Sequence, residues 1–254
     1  MARFTILMYH QVCVPGSAAE AKYACPPGRF ARHMRYLKGR HAVVSLTAIR
    51  RHLEGEVTLP DGAVAVTFDD GFRNNYTDAL PILRRYQIPA TLFLIAGLVG
   101  ATNRWMAAAD YPERPMVTWD EVREMAAAGM EIGAHTLSHP RLTELAPAAV
   151  ATEVAEARAV IERQLAHPVD AFAYPYGLCN EPVVAAVAAA GYRIACTTRP
   201  GFNRPGIDPL SLRRIEVFGT DAVWRLAQKI RFGCNSSGVT RPLRYYWNRL
   251  RAWV

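Results

Sequence analysis

Two neighbouring carboxylates, Asp69 and Asp70, and two imidazoles four residues apart, His135 and His139, are the side chains whose types and spacing best suit them to chemistry. The aspartates stand in Thr67-Phe68-Asp69-Asp70-Gly71, directly after the apolar run Val64-Ala65-Val66. Side chains alternate along a strand, so adjacent aspartates at its end point in different directions. One can bind a metal while the other holds a water or receives its proton. The histidines stand in His135-Thr136-Leu137-Ser138-His139, a spacing that lets two imidazoles converge on one ion. Thr136 and Ser138 are expected to donate hydrogen bonds around them. A third stretch, Ala173-Tyr174-Pro175-Tyr176-Gly177, reads as a strand ending in a tight turn whose backbone N–H groups can face a ligand. Two imidazoles and one carboxylate leave open positions on a metal, so the three stretches together describe a site for metal-assisted hydrolysis.

The elements that must position these residues alternate between strand and helix. Strands are predicted over residues 4–9, 42–46, 63–68, 91–95, 131–134, 171–174, 192–197 and 212–218. Helices are predicted over 29–37, 47–53 with Thr47 as cap, 76–86, 119–128, 147–165 and 181–190. Thr118 and Glu121 form a capping-box pattern at the start of the fourth helix, and Gly129 ends it. Repeated β-α units imply parallel strands covered by helices, and about seven of them favour an α/β fold closed into a distorted (β/α) barrel. Chemistry in such barrels sits at the C-terminal ends of the strands, where all three stretches fall. The long loop 97–117, which carries Trp105, is expected to face the substrate.

A hydrophobic fraction of 51% over 254 residues supports a real core and excludes disorder. The five cysteines are odd in number, widely spaced and form no CxxC pair, which argues against a disulfide framework or a cysteine zinc site and for a reducing compartment. The net charge of +8 is carried entirely by the residues after Thr198. Basic residues there alternate with Trp224, Leu226, Ile230, Tyr245, Trp247 and Trp253, a pattern for short amphipathic helices that either dock on the barrel or lie on an anionic membrane. We therefore divide the chain into a catalytic domain, 1–219, and a basic C-terminal extension, 220–254. No recognised nucleic-acid module is present. The first ten residues lack the features of a signal peptide, so a cytoplasmic, membrane-peripheral protein is expected.

In order and spacing, TFDDG, HTLSH and YPYG resemble the polysaccharide deacetylases, the NodB-homology domain of the family-four carbohydrate esterases. The resemblance implies one divalent metal, commonly zinc, and hydrolysis of an acetyl group on an N-acetylated glycan or lipid-linked saccharide. It implies Asp70, His135 and His139 as the metal ligands and Asp69 as the base. The backbone N–H of Tyr176 would be an oxyanion donor. Pro175, Tyr176 and Trp105 are expected against the substrate.

The chain departs from the commonest pattern of that family. Ala173 stands where many members have an Arg that orients the base, and the later Asp-x-x-Asp-Trp motif paired with it is also absent. Arg213 or Arg214 is expected to pair with Asp69 instead. The usual Leu-x-His is missing, since no histidine follows His167. Tyr9-His10 resembles the segment near the start of the poly-N-acetylglucosamine deacetylases, whose elements are permuted, and makes His10 the expected general acid. A hydrolase of another carbon–nitrogen amide, such as a formamide or cyclic ureide, and a silent glycan-binding protein are the alternatives on this scaffold.

Overall fold

The computed structural model describes residues 3–106 and 111–238. Seven strands are involved: β1 (Phe4–Tyr9), β2 (Ala63–Phe68), β3 (Ala90–Leu94), β4 (Glu131–Ala134), β5 (Ala171–Ala173), β6 (Ile194–Cys196) and β7 (Ile215–Glu216). All paired strands run parallel, in the order β6-β5-β4-β3-β2-β1-β7. The edges approach each other because one segment serves both. Leu212 bridges to Cys196 beside β6, and Ile215, three residues on, pairs with Leu7 of β1. The sheet thus curls into the expected distorted barrel.

Every residue of β1, β2, β3, β5 and β6 is buried, because one face meets the barrel interior and the other meets helices. Side-chain alternation divides them cleanly. Phe4, Ile6, Ala63, Ala65, Phe93, Ala171, Ala173, Ile194 and Cys196 form an inner cluster. Leu7, Tyr9, Val64, Val66, Phe68, Leu92, Leu94, Phe172 and Ala195 form an outer one, under the helices. The inner rows are dominated by small residues, and at Gly133 a Cβ would lie 2.6 Å from the Phe93 ring.

The helices are α1 (Pro27–Arg40), α2 (Leu46–Leu53), α3 (Leu80–Tyr86), α4 (Trp119–Ala127), α5 (Pro147–Leu165), α6 (Glu181–Ala189) and α7 (Val223–Phe232). Helix α5 has no side-chain cap, so its stability rests on Pro147 in the first turn and on the buried stripe Val150, Val154, Ala157 and Ile161. Helix α4 carries the full Thr118–Glu121 capping box. Helix α2 plugs the lower end of the barrel with Leu46 and Ile49. Its first N–H groups, on Leu46 and Thr47, donate to the Glu131 carboxylate.

Four expectations need correction. The strand expected at 42–46 is a single bridge, Val43 to Val64. Strand β2 is already paired with β1 along its length and with β3 from Val66 onward, so only its lower end is free. Helix α2 is capped by Ser45, whose oxygen accepts from the Ala48 N–H, and not by Thr47. The helix expected at 76–86 opens as a π turn, Asn75–Ala79, before α3; Pro81, which has no N–H to donate, sits at the joint. The last strand shrinks to Ile215–Glu216 because its segment changes neighbours at the barrel closure.

Helix α7 packs against the outer cluster through Leu226 and Ile230. Its Lys229 is turned fully inward, 2.5 Å from Asp221 Oδ2, so this basic residue is not available to a membrane surface. The second helix expected in the basic tail, from residue 243 onward, lies outside the described residues. Among the described residues no helix is long and apolar enough to cross a membrane. All five cysteines are free thiols.

Candidate metal centre and active site

The inner rows of the barrel lead directly to the site. Continuing each row by two residues toward the C-terminal end gives His10 from Phe4-Ile6-Met8 and Asp69 from Ala63-Ala65-Thr67. It likewise gives His135 from Glu131-Gly133, and Arg214 and Glu216 from Leu212. The cavity at that end, about 430 Å³, is walled by His10, Asp69, Asp70, His135, His139 and Tyr176. Asp70 has the opposite parity, but its φ of 75° turns the chain so that it reaches the same cavity.

Left-handed backbone is concentrated here. Of six described non-glycine residues with positive φ, four belong to the three motifs: Asp70, Thr136, His139 and Tyr176. Such conformations are costly and persist where surrounding bonds over-determine them. In the histidine loop those bonds come from Glu153 of α5. Its carboxylate accepts from the N–H groups of Leu137 and Ser138 at 3.0 and 2.9 Å and from Ser138 Oγ at 2.5 Å. The His139 N–H donates to Thr136 Oγ1. Thr136 and Ser138 therefore shape the loop and do not donate to the imidazoles, contrary to the sequence expectation.

The two aspartates occupy different environments. Arg214 donates from Nη1 to Asp69 Oδ1 at 2.6 Å and from Nη2 to Asp69 Oδ2 at 2.7 Å. Its Nε donates to the Thr197 carbonyl, and its guanidinium is completely buried. Burial alone would push the Asp69 carboxyl up, but the guanidinium, with His135 adding to it, outweighs burial and holds it down to about 2. Arg213 has the other strand parity. It turns away toward the Pro200 carbonyl and does not reach Asp69.

Asp70 faces two imidazole nitrogens, with Nε2 of His135 and Nε2 of His139 each 3.6 Å from Oδ1. Nδ1 of His135 lies 2.7 Å from the Ala173 carbonyl. A carbonyl only accepts, so Nδ1 carries the proton and Nε2 presents a lone pair toward the carboxylate. Ligand atoms of Asp70, His135 and His139 all lie within 4.8 Å of one another. Burial and then the neighbouring Asp69 drive the Asp70 carboxyl well up, while burial drives His135 down and His139 to about 2. A buried carboxyl and two buried imidazoles whose charged forms are all disfavoured, with their ligand atoms turned toward one another, suit a divalent cation, which reverses each of these penalties. Among the described residues no other group of His, Cys, Asp and Glu has this geometry.

His10 lies at the end of β1 and contacts Tyr23 edge-on at 5.0 Å. Burial pushes its imidazole down to about 4, with Asp69 pulling the other way. Trp105 stacks obliquely near His139 at 5.5 Å and lines the cavity, as does the exposed Tyr176 ring, 4.8 Å from His139. Pro175 is buried inside the turn and is not part of the cavity wall. In that turn Gly177 N–H donates to Tyr174 and Leu178 N–H to Pro175, which leaves the Tyr176 N–H outside the turn's own ladder. A Cβ at Gly177, where φ is 69°, would collide with Thr198.

Sequence reading missed Glu153, Lys22, Tyr23 and Glu216. None stands in a motif: Lys22 and Tyr23 come from the connection after β1, Glu153 from the helix that follows the histidine loop, and Glu216 from the far end of the chain. Only strand parity, read from Arg214, would have placed Glu216 on the inner row.

A parallel β/α barrel with an Asp-His-His cluster at its C-terminal mouth is a hydrolase architecture whose cluster could hold a metal ion. Residues 56–195 match the polysaccharide deacetylase family, and the chain belongs to it. That family hydrolyses N-acetyl amide bonds in polysaccharides and depends on a metal. YxkH of Bacillus subtilis, named as a putative polysaccharide deacetylase, is 28% identical over 217 residues, covering 85% of this chain and 72% of the relative. The poly-beta-1,6-N-acetyl-D-glucosamine N-deacetylase of Staphylococcus aureus is 28% identical over 211 residues, covering 79% of this chain and 70% of the relative. Among solved structures, the Streptococcus pyogenes deacetylase PplD in complex with acetate superposes with a TM-score of 0.78 at 28% identity, covering 90% of this chain and 98% of the other.

Proposed function

We propose that this protein removes acetyl groups from N-acetylglucosamine-type residues of a glycan, with one zinc ion as cofactor. The observation that carries this reading is the division of labour between adjacent aspartates. Asp69 is claimed by Arg214 and kept ionised, whereas Asp70 faces only imidazole nitrogens. Two carboxylates pushed in opposite directions by their surroundings mark different roles.

Asp70, His135 and His139 would hold the ion, which when bound supplies a Lewis acid that polarises the acetyl carbonyl and acidifies a water. Asp69 accepts a hydrogen bond from the attacking water and takes its proton, while the Arg214 fork keeps the carboxylate aimed. The Tyr176 N–H faces the developing oxyanion. His10 passes the proton to the leaving nitrogen. The bound acetate and the substrate in the relatives' names support the same bond class.

Acetate release from N-acetylglucosamine oligomers by purified zinc-loaded protein, with Asp69→Asn as control, tests this. Release by the wild type and its loss in the variant are expected. No acetate from any N-acetylated sugar would remove the reading.

A further inference from the structure

The cavity has a second polar pair that the proposed chemistry does not use. Glu216, at the end of β7, and Lys22, in the connection after β1, both line it. The backbone of Glu216 is fixed on both sides. Its N–H donates to Asn235 Oδ1 at 2.9 Å, and its carbonyl accepts from the buried Lys229 Nζ at 2.8 Å. The Glu216 carboxylate, by contrast, accepts no hydrogen bond among the described residues: Lys22 Nζ stands 3.9 Å away, beyond hydrogen-bond distance, although the Glu216 side chain is only 15% exposed. Lys22 is itself oriented: Nζ donates to Tyr23 Oη at 3.0 Å and sits against the Phe218 ring. An ammonium has three N–H donors, so Lys22 keeps donors for a further acceptor.

A mostly buried acceptor with no hydrogen-bond donor among the described residues, on a fixed strand end, is an incomplete hydrogen-bonding site beside a half-exposed ammonium with donors to spare. Tyr23 lies between this pair and His10, and the Tyr111 ring stands 6.2 Å from it. A carboxylate accepts a hydrogen bond from a hydroxyl, an ammonium donates one to a hydroxyl oxygen, and aromatic rings cover the C–H face of a pyranose. We propose that Glu216 and Lys22 form a hydroxyl-reading subsite, Glu216 accepting from one ring hydroxyl and Lys22 donating to a neighbouring one, so that the enzyme selects a neutral hexosamine with free vicinal hydroxyls. This inference rests on the deacetylase reading and assigns its substrate specificity.

The test compares a short N-acetylglucosamine oligomer with its 3-, 4- and 6-deoxy counterparts, for the wild type and for Glu216→Gln and Lys22→Met, by acetate release. In the wild type at least one deoxy substrate loses kcat/KM on the order of 10- to 100-fold, as removing a partner from a charged hydrogen bond does. In Glu216→Gln the parent substrate weakens by a similar factor, through KM, and that deoxy substrate suffers little further loss. Deoxy substrates within twofold of the parent in the wild type, or an undiminished penalty in Glu216→Gln, overturn the subsite. The deacetylase reading itself is judged separately, by wild-type release from the parent oligomer; if that is absent, both fall. Binding of the parent oligomer to Asp69→Asn, with and without Glu216→Gln, repeats the comparison without turnover. Equal affinity of the two proteins also overturns the subsite.

Discussion

Arg214 meets Asp69 in a two-pronged ion pair at 2.6 and 2.7 Å, closing a contact between residues 145 apart in the chain. The pair sits inside the barrel, walled by the small inner rows and by Phe93, whose ring centroid lies 5.5 Å from the guanidinium carbon. Ala173 faces the same interior, and its small side chain leaves that space to the guanidinium. Arg214→Lys keeps the charge but loses the fork, so kcat for acetate release should fall about 10- to 100-fold with KM little changed. Arg214→Met strands a buried carboxylate and should cost on the order of 3–5 kcal/mol in urea unfolding. Full kcat in Arg214→Lys would show that Asp69 needs no aiming.

The histidine loop depends on Glu153, which holds two backbone N–H groups and the Ser138 hydroxyl. Glu153→Ala should weaken zinc binding about 10- to 100-fold in competition with a chromogenic chelator, although Glu153 is not a ligand. Stripping the ion from the wild type should abolish acetate release and lower the melting temperature. Re-adding zinc at 100 times its Kd should return about 2.7 kcal/mol. Unchanged zinc affinity in Glu153→Ala would mean that the loop keeps its shape without the cap.

His10→Ala should retain stoichiometric zinc and lose turnover on an N-acetylated sugar by about 10²- to 10⁴-fold. An activated aryl acetate needs no protonated leaving group, so the same variant should lose much less on that ester. Equal losses on both substrates would assign His10 to binding and not to proton delivery.

A pH effect on stability is expected at His33, which is buried far from solvent. Its Nε2 lies 2.9 Å from the Asp221 carbonyl and its Nδ1 3.2 Å from the Tyr9 hydroxyl. The carbonyl can only accept, so the neutral ring is satisfied on both sides, and burial pushes His33 down to about 4 from 6.5. The unfolded chain therefore binds a proton that the folded one refuses. Stability present above pH 6.5 is lost as pH falls toward 4, by on the order of 3 kcal/mol for this residue. His33→Gln should be less stable than wild type at pH 7.5, yet show a smaller decline between pH 6.5 and 4 in thermal melts. Parallel curves would exclude His33 as a contributor.

The local patterns were legible where a residue's role follows from its neighbours in the chain. The apolar runs of β1 and β2, the Thr118–Glu121 box and the apolar stripe of α5 each contain their own physical cause. So do the motifs themselves, since two aspartates at a strand end and two histidines four apart carry their chemistry in type and spacing. The strand at 42–46 was not legible, because its length depends on how much edge β2 has left after pairing with β1 and β3.

By itself, then, the sequence determined the α/β alternation, the family and the Asp70, His135 and His139 set, because these depend on periodicity and short-range spacing. Only the tertiary structure decided between Arg213 and Arg214, through the two-residue alternation of a strand whose inner face is defined by barrel closure. It alone brought Glu153 beneath the histidine loop and placed Glu216 and Lys22 on the cavity wall. The Glu153 contact depends on how α5 packs back on its own strand, and the Arg214 and Glu216 contacts join distant segments through the curl of the sheet, which no local pattern encodes.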